Sequence, residues 1–127
     1  MRRELWIRVG CVAVAALMAG VLIVGAKAIG EVNRLPPLVH KLEHFFYYGS
    51  MAVLMACALG RRRMWLAVAV VSCVGLLDEW HQAYVPLRSS SALDWLVDTA
   101  GAAVAVWLCY RVLALRDRRR LAGVRAR

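Results

Sequence analysis

Acidic residues are scarce in this chain: eight Asp and Glu stand against 17 Lys and Arg in 127 residues, for a formal net charge of +9. The basic surplus is not laid out for nucleic acid. No basic face is interleaved with aromatics and no groove-reading motif occurs, so nucleic acid is excluded as a partner. Pairing of cysteines is also missing. Cys11, Cys57, Cys73 and Cys109 form no CxxC and no spacing with His that reads as zinc. They read as small apolar packing residues. A metal held by Asp78, Glu79, His44 and His81 is conceivable, though their spacing matches no ligand motif, and the sequence leaves any cofactor open. Most telling is the absence of charge itself from long stretches, which a soluble protein of this size would interrupt.

What fills those stretches is apolar. The chain is 62% hydrophobic, above the roughly 45–50% of soluble domains, with a mean hydropathy of +0.60. It reads as an integral membrane protein forming one domain over residues 1–127. Four uncharged runs are separated by polar punctuation: Val9–Ala26 (18 residues), Phe45–Gly60 (16), Met64–Leu77 (14) and Thr99–Tyr110 (12). A helix crossing a hydrocarbon core of about 30 Å needs about 20 residues. Only the first run approaches that length unaided.

The other three become spans by absorbing polar neighbours: His40, Lys41 or His44 for the second, Asp78 to Gln82 for the third, Asp94 and Asp98 for the fourth. The expected architecture is all-α, a four-helix transmembrane bundle with spans at about 7–29, 42–60, 64–84 and 94–113. Arg61-Arg62-Arg63 marks a tight turn, and Pro86 with Ser89-Ser90-Ser91 marks a loop. A cleaved signal peptide competes for the first run because Ala26-Lys27-Ala28 resembles a cleavage site. Its apolar stretch exceeds the usual 7–15 residues of such peptides, which favours retention.

Arginine placement gives the orientation. With both termini cytoplasmic, Arg2, Arg3, Arg8, Arg61 to Arg63 and every arginine from Arg111 onward lie inside, leaving Lys27, Arg34, Lys41 and Arg88 outside. The polar residues that complete the three short spans then share one layer near the outer leaflet. Asp78 lies roughly 21 Å from Met64 along its helix, about 9 Å below the outer edge of the core.

Helical spacing turns these residues toward one another. Asp78, His81 and Gln82 lie at i, i+3 and i+4, with Glu79 slightly rotated. Asp94, Asp98, Gly101 and Ala105 make one stripe whose small residues allow close helix approach. His40, His44 and Tyr48 (or Tyr47) make another, continued by Met51 and Met55. Ionisable side chains at membrane depth face a bundle interior or a wet cleft and mark functional sites by default. A purely structural ion-pair network is the competing reading. Ser91-Ala92-Leu93-Asp94 also matches a capping box, in which Asp94 merely caps the fourth helix. The five tryptophans fall near helix ends and read as interfacial anchors.

Chemically, two helix N-termini point at the cleft and favour an anion. Arg88 adds a bidentate donor and Lys41 a point charge. Four carboxylates nearby repel an anion unless they are protonated, paired or metal-bound. A His–carboxylate pair, His44 or His81 with Asp78 or Glu79, is suited to proton transfer or to activating water. The candidate catalytic residues are Asp78, Glu79, His44, Asp94 and Asp98; the candidate substrate-binding residues are Lys41, Tyr48, Gln82, Arg88 and His81.

The stretches "VHKLEHFFYYG" and "DEWHQAYVPLRSSSALDWLVDTAG" resemble the VanZ-like family of small bacterial membrane proteins. Its pattern runs K-x-x-H-F-x-x-Y, D-E-x-x-Q-x-F/Y-x-P-x-R and D-x-x-x-N-x-x-G. Lys41, His44, Phe45 and Tyr48 fill the first part. Asp78, Glu79, Gln82, Tyr84, Pro86 and Arg88 fill the second, and Asp94 and Gly101 the third. Asp98 stands where the family usually has Asn, adding an acid. The resemblance implies a bacterial plasma membrane and, for the namesake, a link with resistance to glycopeptide antibiotics such as teicoplanin. The expected ligand is an anionic lipid-linked envelope substrate or the glycopeptide itself. Three roles stay open: an enzyme acting on such a lipid, a non-catalytic accessory protein, and a proton-coupled transporter, which four spans could build only as an oligomer.

Overall fold

The computed structural model describes residues 2–29, 36–84 and 90–125. They form four helices, α1 (Arg2–Ile29), α2 (Pro37–Leu59), α3 (Trp65–Gln82) and α4 (Ala92–Arg125). Three of them, α1, α2 and α4, are long and apolar enough to cross a membrane. The helix is the form such runs take in lipid, because it satisfies backbone N–H and C=O groups within one segment. Helix α3 has 18 residues, about 27 Å, and its last turns carry Asp78, Glu79, His81 and Gln82. That polar end keeps it out of the apolar set.

Local chemistry sets the ends. Pro36 is extended (φ −51°, ψ 139°) and Pro37 opens α2, where its missing N–H is not needed. Gly60 closes α2 at φ 75°, its N–H donating to the Ala56 carbonyl at 2.9 Å. Residues 61–64 then turn the chain into α3, at the arginine triplet where the sequence placed a turn. Ser91 precedes α4, and its Oγ accepts the Leu93 N–H at 3.2 Å. Helix α4 runs without a break to Arg125, well past the end of its apolar run at Tyr110.

The bundle is organised around the α2–α4 contact, the most extensive in the fold. These helices run parallel, with Phe45 beside Gly101 near their starts and Arg61 paired with Asp117 far along them. Helix α3 runs the opposite way. Close approach depends on glycine: a Cβ on Gly101 would collide with the Phe45 carbonyl oxygen and lie 2.9 Å from its carbon. Gly49 meets the Gly101 carbonyl oxygen from the other side. Below the crossing, Met51, Ala52, Ala56, Ala67, Val71, Ala102 and Val106 form a buried apolar core. Helix α1 packs on α2 through Ala15 and a 2.7 Å hydrogen bond from the Tyr47 hydroxyl to the Met18 carbonyl. Most of its surface is otherwise exposed, as suits a helix solvated by lipid.

Candidate functional site

The start of α2, the end of α3 and the start of α4 meet at one end of the bundle. Their polar side chains are buried there rather than splayed outward. Asp98 and Tyr48 are 0% exposed, Asp78 1%, and Gln82, Glu79 and His44 stay below a tenth. The i, i+4 spacing of His44 and Tyr48 on α2 and of Asp78 and Gln82 on α3 turns each pair inward.

Donors and acceptors are allocated one by one. His44 Nδ1 lies 3.0 Å from Asp98 Oδ1. The Tyr48 hydroxyl and Gln82 Nε2 both donate to Asp78 Oδ2, at 3.1 and 2.9 Å. The backbone N–H of Ser91 donates to Glu79 Oε2 at 2.7 Å. Lys41 Nζ stands 3.8 Å from Asp94 Oδ1, an ion pair too long for a hydrogen bond, with the lysine side chain 39% exposed. The His44 ring stacks between His40, centroids 4.4 Å apart, and Tyr48 at 5.8 Å. Gly75 makes room for this layer, since a Cβ there would sit 3.2 Å from Asp98 Oδ2 and 3.3 Å from the Tyr48 ring.

Two pairings differ from the sequence reading. The carboxylate that holds His44 belongs to Asp98, not to Asp78 or Glu79. The parallel α2–α4 crossing at Gly101 brings the first turns of both helices side by side, and α3 lies behind them. The capping box is also divided between two helices. Ser91 caps α4 with its hydroxyl, but the returning carboxylate is Glu79 from α3. Asp94 is thereby left to face Lys41. His81 does not join the network: its Nδ1 is buried with no hydrogen-bond partner among the described residues. Arg88 and Pro86 lie outside the described residues.

Lower down, a polar contact between α3 and α4 was not foreseen. Ser72 Oγ and Thr99 Oγ1 are 2.8 Å apart, and Trp95 Nε1 donates to the Ser72 carbonyl at 3.1 Å. Ser72 in the middle of an apolar run was the available signal, since small hydroxyl residues in membrane helices commonly bond across an interface. Trp95 is therefore tied to a neighbouring helix, whereas Trp6, Trp65, Trp80 and Trp107 are exposed as interfacial anchors would be.

Asp78, Glu79 and Asp98 each have one oxygen hydrogen-bonded, while Asp78 Oδ1, Asp98 Oδ2 and Asp94 Oδ1 are buried without a donor. A carboxylate has two acceptor oxygens, so the layer holds unused acceptor capacity. Among the described residues, no group of three or more His, Cys, Asp or Glu converges as a metal site. The described side chains supply hydrogen bonding, charge pairing and groups for proton transfer.

A small, all-helical, multi-pass membrane protein with a polar cluster buried at one bundle end is the class these features define. The family model described as VanZ/LLP1 matches residues 9–115, and the chain belongs to that family. The matched segment takes in the turns of α2, α3 and α4 that build the cluster. Comparison with curated proteins and with solved structures returns no match.

Proposed function

We propose that the polar end of the bundle faces the outer leaflet of a bacterial plasma membrane and binds the anionic head group of a lipid-linked envelope substrate. On this reading both termini are cytoplasmic, α3 completes a fourth crossing, and the arginine-rich ends lie inside. The observation that carries it is the allocation of donors. Four carboxylates would repel an anion, but Asp98 is held by His44, Asp78 by Tyr48 and Gln82, Glu79 by Ser91, and Asp94 faces Lys41. Lys41 is the half-exposed cation of the set, loosely paired and beside the N-terminal turns of α2 and α4. Those turns add the partial positive charge of two helix N-termini. A phosphate arriving from the leaflet replaces a long ion pair with a direct one.

In its catalytic form, the proposal gives His44 the role of base. Asp98 fixes the ring through Nδ1, and Nε2 takes a proton from the water or hydroxyl that attacks phosphorus; the ester P–O bond breaks, and the leaving oxygen departs with the proton returned by His44. The non-catalytic form is favoured by a different observation: Glu79 is engaged by the Ser91 N–H at the start of α4, which ties α3 to α4 as a binding scaffold needs. Either form gives a route to altered glycopeptide susceptibility through the lipid-linked precursors displayed at the surface. Proton-coupled transport fits less well, because the core beyond the cluster is built from Met51, Ala52, Ala56, Val71 and Val106.

Native mass spectrometry of the detergent-solubilised protein tests the binding step. A phosphate-bearing lipid is expected to co-purify with the wild type and to be lost in Lys41→Ala. Its retention in that variant at wild-type occupancy would refute the assignment. Incubation with the recovered lipid separates the two forms: product release abolished by His44→Ala marks an enzyme, and binding without product marks an accessory protein.

A further inference from the structure

The end of the bundle away from the polar cluster carries a second charged feature. Helix α4 continues past its apolar residues Val112 to Leu115 into Arg116-Asp117-Arg118-Arg119-Arg120, still helical and exposed throughout. Asp117 does not neutralise this stretch, because it pairs with Arg61 from the turn between α2 and α3. Arg62 and Arg63 on that turn are exposed as well.

Depth and direction together identify the partner. Counting from Leu115 at about 1.5 Å per residue, Arg116 to Arg120 fill the next 7 Å or so along the axis. That matches the head-group layer, about 5–8 Å thick on each side of the hydrocarbon core. Successive residues also turn by about 100°, so Arg116, Arg118, Arg119 and Arg120 spread over an arc of about 200° and leave open only the side of Asp117, which meets Arg61. A nucleic acid or a protein docks on one face. Lipid head groups surround a membrane helix.

We infer that Arg116, Arg118, Arg119 and Arg120, with Arg62 and Arg63 beside them, form a binding collar for anionic phospholipid head groups. The ligand class is a diacyl lipid with a net negative phosphodiester head group. Guanidinium groups bind phosphate oxygens in pairs, and basic clusters just beyond a membrane helix attract anionic lipid. This collar lies at the opposite end of the bundle from the Lys41 site.

The test is native mass spectrometry of the full chain in mild detergent, offered equal amounts of phosphatidylglycerol and phosphatidylethanolamine with matched acyl chains. Wild type is expected to retain phosphatidylglycerol at least about fivefold over phosphatidylethanolamine, the scale set by one or more surface arginines. The quadruple variant Arg116→Gln/Arg118→Gln/Arg119→Gln/Arg120→Gln is expected to bring the ratio close to one while keeping native helicity by circular dichroism. An unaltered ratio in the quadruple variant overturns the collar. Should the quadruple variant fail to insert, salt gives the answer on wild type alone. Raising ionic strength from about 0.01 to 1 M shortens the Debye length from about 30 to 3 Å, so the preference must shrink; a salt-independent preference overturns the proposal too.

Discussion

Replacing Gly101 by alanine tests how the site is held together. At this position the backbones of α2 and α4 are in direct contact, and the added Cβ would meet the Phe45 carbonyl oxygen and lie 2.9 Å from its carbon. Ordinary contacts begin at 3.4 Å, so the helices must part by about half an ångström at the carbon and by more at the oxygen. No flexible side chain can yield, because the opposing atoms are backbone. Overpacking of this kind costs about 1–3 kcal/mol, offset by up to about 1 kcal/mol of helix propensity gained over glycine. The same separation stretches the 3.0 Å His44–Asp98 contact one turn away, adding about 1 kcal/mol. A net loss of about 2 kcal/mol is expected. Gly10→Ala is the control, since nothing lies within 4 Å of a Cβ there; it should be neutral or stabilising. Unfolding by sodium dodecyl sulfate in mixed micelles, followed by circular dichroism, measures both. Equal stability of the two variants would refute the close crossing and the site geometry that depends on it.

Other outcomes follow from single contacts. Asp98→Asn keeps an acceptor for His44 and should stay within about 1 kcal/mol of wild type, whereas Asp98→Ala strands the buried ring and should cost about 1–3 kcal/mol in the same assay. Glu79→Ala leaves the Ser91 N–H without its acceptor and should speed hydrogen exchange at the start of α4, with Glu79→Gln close to wild type. A double-mutant cycle on Ser72→Ala and Thr99→Ala should return a coupling of about 0.6 kcal/mol, the usual size for a hydroxyl pair between membrane helices; zero coupling would remove that contact.

Much of this architecture was legible in residue order alone. Uncharged runs announce helices, the Arg61–Arg63 triplet announces the turn, and the shared stripe of Asp94, Asp98 and Gly101 announces the buried face of α4. What spacing cannot give is which face meets which. His44 and Tyr48 lie on one stripe of α2, yet they bond to different helices, His44 to Asp98 on α4 and Tyr48 to Asp78 on α3. That division depends on the angle at which α2 crosses α4, which depends in turn on the missing side chain at Gly101. The capping box misled for a related reason. Ser91 and Asp94 satisfy the local pattern, but Glu79 is one helix away and closer to the N–H that needs an acceptor. Ser72 and Thr99 passed as isolated small residues because only their contact across α3 and α4 gives them a role.

The orientation of the polar end decides whether the proposed ligand can reach it. Single cysteines placed at Ser91, beside the cluster, and at Val124, on the exposed extension of α4, report on the two ends once Cys11, Cys57, Cys73 and Cys109 are changed to serine. Intact cells are treated with a membrane-impermeant maleimide, and labelling is scored before and after permeabilisation. The Ser91→Cys protein should react in intact cells and the Val124→Cys protein only after permeabilisation. Labelling in the reverse order would put the Lys41 and His44 cluster at the cytoplasmic face, out of reach of any substrate in the outer leaflet.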